Sequence, residues 1–133
     1  MLTDQDFSRA MDVERAMYRS LSELEELTQE LAQAVDRGDK VSVQMSLAMR
    51  RDPLEQVARH QAALRRQYTS LPAPDARLLR ALLEEASPPA VSGAEALVRQ
   101  AARNRTLLAR IVAADRRINQ KVAGRSSFYA KRP

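Results

Sequence analysis

Leu97-Val98-Arg99-Gln100-Ala101-Ala102-Arg103-Asn104-Arg105-Thr106-Leu107-Leu108-Ala109-Arg110-Ile111-Val112-Ala113-Ala114-Asp115-Arg116-Arg117-Ile118-Asn119-Gln120-Lys121-Val122 contains no Pro or Gly. Its positions 97, 101, 104, 108, 111, 115, 118 and 122 alternate steps of four and three, the repeat of about 3.5 residues that turns one stripe of a helix toward a neighbour. Leu107 and Val112 broaden the stripe. Two members, Asn104 and Asp115, are polar. A polar residue on such a seam fixes register at some cost in stability, or marks a seam that faces a partner. Upstream, Ser92-Gly93-Ala94-Glu95 spells a capping box. Downstream, Gly124 is expected to end the helix. Residues 125–133, with Phe128 and Tyr129, then form a flexible basic tail that folds back on the helices or docks on a partner.

The same periodicity recurs toward the N-terminus. From about Ser8 to Asp36, Met17, Leu21, Leu24, Leu31 and Val35 keep the spacing, with Thr28 in the missing step. Gly38 suits a helix end and Asp39 a helix start, which predicts a tight helical hairpin over Asp36–Lys40. From Lys40 to about Ser70, the stripe is read as Val41, Met45, Ala48 and Met49, continued by Val57, Leu64, Tyr68 and Leu71. Pro53 inside it implies a kink or a restart, with the kink preferred. A short helix over Asp75–Glu85 carries Leu78, Leu79, Leu82 and Leu83, and Ser87-Pro88-Pro89 reads as a linker. The expected fold is all-α: an elongated antiparallel bundle of three long helices plus one short helix. It forms one domain over residues 1–124.

Composition narrows the classes. Without Cys there is no disulfide framework, no thiolate nucleophile and no cysteine zinc site. His60 is the single histidine, and Glu55 lies off the i, i+4 face that a helical ligand pair needs, so no metal or cofactor is expected. Glu25 and Glu26 point about 100° apart on a helix and cannot work as an acid–base pair. No Gly-x-Ser-x-Gly elbow or glycine-rich phosphate loop is present, and no catalytic residue is assigned; the chain reads as a non-enzyme. No apolar run approaches the roughly 18 residues of a membrane span. The N-terminus is acidic where a secretory signal would be basic and then apolar, so a cytoplasmic location is expected.

The net charge of +5 is unevenly distributed. Residues 1–36 hold nine acids against three Arg, whereas residues 37–133 hold nineteen bases against eight acids. An acidic first helix beside a basic last one accounts for this arrangement. Nucleic acid is the weaker reading of the Arg flank, because stacking aromatics are confined to Phe128 and Tyr129. Met11, Met17, Met45 and Met49 fill a core or furnish an adaptable partner surface. Self-association through the last helix stays open as an alternative.

Asn104-Arg105-Thr106-Leu107-Leu108, then Ile111, Asp115 and Ile118, then Gly124-Arg125-Ser126-Ser127-Phe128-Tyr129, resembles the C-terminal end of FlgN-type flagellar export chaperones. Leu21-Ser22-Glu23-Leu24-Glu25-Glu26-Leu27 is similar to that family's acidic N-terminal coil. The Met-rich, basic stretch from Val41 to Arg51 departs from it. The resemblance implies a chaperone that sheathes the C-terminal helices of hook-associated proteins before export through the flagellar type III apparatus, whose components are further candidate partners. It also implies partner-binding roles for Asn104, Leu107, Leu108, Ile111, Asp115, Ile118, Val122, Phe128 and Tyr129. Arg99, Arg103 and Arg110 would steer an acidic partner.

Overall fold

The computed structural model describes the backbone of residues 1–130 and the side chains of residues 1–124. Four helices account for it, with no strand among the described residues: α1 (Asp4–Arg37), α2 (Lys40–Thr69), α3 (Ala73–Glu84) and α4 (Glu95–Ala130).

Helix α1 starts before the expected Ser8 because Thr3 and Asp6 form a capping box. Thr3 Oγ1 accepts from the Asp6 amide at 3.2 Å, and the Asp6 carboxylate accepts from the Thr3 amide at 2.9 Å. The predicted hairpin is present. Gly38 takes φ 69°, its N–H reaches the Ala34 and Val35 carbonyls, and Asp39 caps α2 by accepting from the Ser42 amide at 3.1 Å. Pro53 lies inside α2 without breaking it. The carbonyl four residues back, which loses its helical amide donor to Pro53, belongs to Met49.

Three expectations are corrected. First, α2 does not bury the stripe of Val41, Met45, Ala48 and Met49. Its inward face is Ser46, Arg50, Pro53, Val57, Leu64, Gln67 and Tyr68. Val57 and Leu64, two turns apart in the core, place Arg50 on the same row and turn the methionines outward. Second, the box at Ser92–Glu95 is not formed. Gly93 has φ 85°, inside a turn closed by the Ala94 amide on the Val91 carbonyl at 3.1 Å, and α4 begins only at Glu95. At the other end, α4 continues through Gly124 to Ala130, so Gly124 is no cap. Phe128, Tyr129 and the rest of the predicted tail lie outside the described side chains.

Third, the helices are not all antiparallel. Gln67 Nε2 donates to the Asp6 carbonyl at 2.9 Å, so α2 runs against α1. Along α4, Asn104 meets Glu14, Arg110 meets Glu25 and Lys121 meets Asp36, an ascending series that makes α4 parallel to α1. The link over residues 85–94 permits this. Ten extended residues reach about 33 Å, whereas the rise of α3 is only about 18 Å, so the chain can return to the start of α1. There a Cβ on Gly93 would lie 3.6 Å from Asp4 Oδ1.

Helix α1 packs on both α2 and α4, and α3 packs on α4 and α2. No Cα of α2 comes within 8 Å of one in α4 among the described residues. The two helices therefore flank a gap above α1. Leu79, Leu82 and Leu83 of α3 fill one half of it, in a core with Leu21, Leu64, Tyr68, Leu97 and Ala101. At the other end, the buried cluster among the described residues is Leu31, Val35 and Ile118, with Ala32 and Val43 packed against it.

Candidate partner-binding groove

The gap between α2 and α4 forms a concavity above α1. Where α3 ends, it opens into a cleft of about 520 Å³ with Met17, Leu21, Leu64, Leu83 and Leu108 among its apolar lining and Arg65, Arg80, Glu84 and Arg105 among its polar residues. Seven-residue spacing extends both walls from there. Gln61 lines the cleft, and Leu54 and Leu47 lie two and four turns back along the same flank of α2. Leu108 lines the cleft from α4, and Asp115 and Val122 follow on its row; Val112 follows Arg105. Leu47, Leu54, Val112 and Val122 are each between 41% and 48% exposed, although they are large and apolar. One described ion pair crosses the open half. Arg50 Nη2 lies 2.8 Å from both carboxylate oxygens of Asp115, while the Arg50 Nε is buried without a partner.

A polar pair lies at the floor. Asn104 Nδ2 donates to the Glu14 carbonyl at 2.7 Å and to its carboxylate at 2.9 Å, and Gln100 donates to Asn104 Oδ1 at 3.1 Å. Burial pushes the Glu14 carboxyl above the usual glutamate range, opposed by the Asn104 hydrogen bond and by the charge of Arg105. Burial likewise pushes the Tyr68 phenol up. Arg105 also ties α3 down by donating to the carbonyls of Leu83 and, at 3.2 Å, Glu85.

The predicted site residues divide into two rows. Asn104, Leu107, Ile111 and Ile118 are buried in the protein's own core. Leu108, Asp115 and Val122 lie on the row that faces α2. Of the predicted steering bases, Arg110 pairs with Glu25 at 2.9 Å, Arg103 lies 5.7 Å from the Tyr18 ring centroid, and Arg99 is exposed. The acidic helix thus neutralises part of the basic one, as the charge distribution implied. The sequence reading missed Glu14 and Arg50. A carboxylate at position 14 interrupts the row 7, 10, 17, 21, 24, which was the available signal; Arg50 was hidden because Ala48 and Met49 just before it read as the buried stripe.

Compared with family models, curated proteins and solved structures, the chain matches none. The likeness to export chaperones therefore rests on the residues quoted above. Among the described residues, no group of three His, Cys, Asp or Glu could hold a metal ion. No described helix is long and apolar enough to cross a membrane.

Proposed function

We propose that this protein is a non-catalytic binder of amphipathic helices. Following the family resemblance, we propose that it serves in the cytoplasm as an export chaperone of the flagellar type III system, holding terminal helices of hook-associated proteins. The observation that carries the reading is the open half of the α2–α4 gap, where Leu47, Leu54, Val112 and Val122 stay exposed beyond the end of α3. Two apolar walls above a helical floor suit the apolar face of a third helix, the helix-in-groove mode of recognition. The partner helix is bound by the groove-facing Leu108, Val112 and Val122 rather than by the buried Leu107, Ile111 and Ile118. Ile111→Asp would test the core rather than the groove.

The test is a titration with a labelled terminal-helix peptide of a hook-associated protein, at low and at moderate salt. Saturable binding that survives the salt and is lost in Leu54→Asp and Val112→Asp is the expected result. No binding at either salt overturns the proposal. A second reading has its own observation. Val41, Met45 and Met49 are 55–69% exposed on α2, outside its buried face, and suit a second copy of the chain. A solution mass twice 14.9 kDa, reduced by Met45→Asp, would establish it.

A further inference from the structure

Helix α3 is the least self-sufficient part of the fold. It has 12 residues, a length at which a free helix is marginal in water. Its N-cap is Pro72, with no side-chain capping bond, and Pro-containing connections flank it over residues 70–72 and 85–94. It stays helical because it is docked. Leu79, Leu82 and Leu83, at i, i+3 and i+4, are 0–3% exposed in the α2–α4 gap. Its other attachments include Leu78, packed against the same core, Arg105 on its last carbonyls, the Arg80 guanidinium 5.7 Å from the Tyr68 ring, and the Met1 ammonium 2.8 Å from Asp75. In effect α3 is an amphipathic helix bound in a groove longer than itself, since the open half of the gap begins at its last turn.

We infer that α3 is an exchangeable occupant of this groove, and that the groove's other occupant is a longer partner helix with leucines at i, i+3 and i+4 that displaces α3 and continues past its end. This inference rests on the helix-binding reading and names the surface it uses. Arg65 and Arg105 line the cleft from the two walls and favour acidic groups on that helix, whereas Glu84 of α3 pairs with Arg80 of its own helix at 3.8 Å. Tethered by short links, α3 competes at an effective concentration of the order of mM, so an incoming helix binds only after outcompeting it.

Two measurements test this. In the unaltered chain, amide hydrogen exchange should show α3 opening at least about tenfold faster than the middle of α1, and faster still when the terminal-helix peptide is added. In the full chain carrying Leu79→Ser, Leu82→Ser and Leu83→Ser, the groove is vacated. A synthetic peptide of residues 73–84 should then bind it. The terminal-helix peptide should bind at least about tenfold more tightly than to the unaltered chain and compete with the first. If the 73–84 peptide binds and the terminal-helix peptide does not, the groove inference stands and the flagellar reading fails. If the terminal-helix peptide binds the unaltered chain without loosening α3, the inference is overturned and the chaperone reading survives. Exchange of α3 at the rate of α1 also overturns it, and that readout decides the matter if the triple variant does not fold.

Discussion

The end of the molecule that α3 covers and the end it leaves open stand on the same pair of helices, α1 and α4, yet they are held by different means. At the covered end, Leu21, Leu24, Leu79, Leu82 and Leu97 pack with almost no exposed surface, and one polar pair, Glu14–Asn104, fixes how α4 sits on α1. At the open end, the described hydrophobic cluster is the smaller one of Leu31, Val35 and Ile118, and the polar links are the buried Arg50 with Asp115 and the exposed Lys121 with Asp36. The contrast teaches where stability and availability reside. Apolar side chains are buried by their neighbours at the first end; at the second, Leu47, Leu54, Val112 and Val122 remain exposed.

The largest test of that contrast is Leu21→Ala against Leu31→Ala. The first should cost about 2–5 kcal/mol in urea unfolding, through lost burial and a cavity that tightly packed neighbours cannot close. The second should fall at the bottom of that range, because the open end has room to relax; equal losses would break the comparison.

Next in size is the polar pair. Asn104→Ala should cost about 1–3 kcal/mol, since it strips the Glu14 carboxylate of its donor. Glu14→Gln keeps a carbonyl for Asn104 and removes the charge. Because burial raises the Glu14 carboxyl, the folded state favours its neutral form. Its stabilising contribution is complete below the ordinary glutamate range and is lost as pH rises through the elevated value. Urea midpoints taken across that window should fall with pH in the parent and vary less in Glu14→Gln.

At the open end, Asp115→Ala should cost about 1 kcal/mol by leaving the buried Arg50 unpaired, and Arg50→Met should be close to neutral in thermal unfolding. Val112→Asp should have a comparably small effect on stability. It should change stability by no more than about 0.5 kcal/mol while abolishing peptide binding, which would separate the surface from the core directly.

These residues also mark how much was legible in the sequence. The hairpin was, because a left-handed turn at Gly38 followed by an Asp39 cap is local chemistry. Most of the α1 stripe was, because its repeat is long and nearly unbroken. The face of α2 was not: Val41, Met45 and Met49 look like a core row until Val57 and Leu64, further along, set the phase. Nor was the direction of α4, which depends on the path of residues 85–94, a stretch without periodicity. The partnership of Glu14 with Asn104 spans 90 positions, and no local pattern announces it. For the candidate site, the seam of α4 was legible as a single stripe. Its division into a buried row and a groove-facing row needed the neighbouring helices.

The return of the chain over residues 85–94 has an electrical consequence. It leaves α1, α3 and α4 pointing the same way, so their peptide dipoles add along the molecule instead of cancelling in pairs. The positive ends gather at the covered end, and there each of the three helices carries carboxylates in its first turn: Asp4 and Asp6, Asp75, and Glu95. Each of those four acids sits at the positive end of its own helix, and the parallel placement of α4 brings the third of these ends to the same end of the molecule.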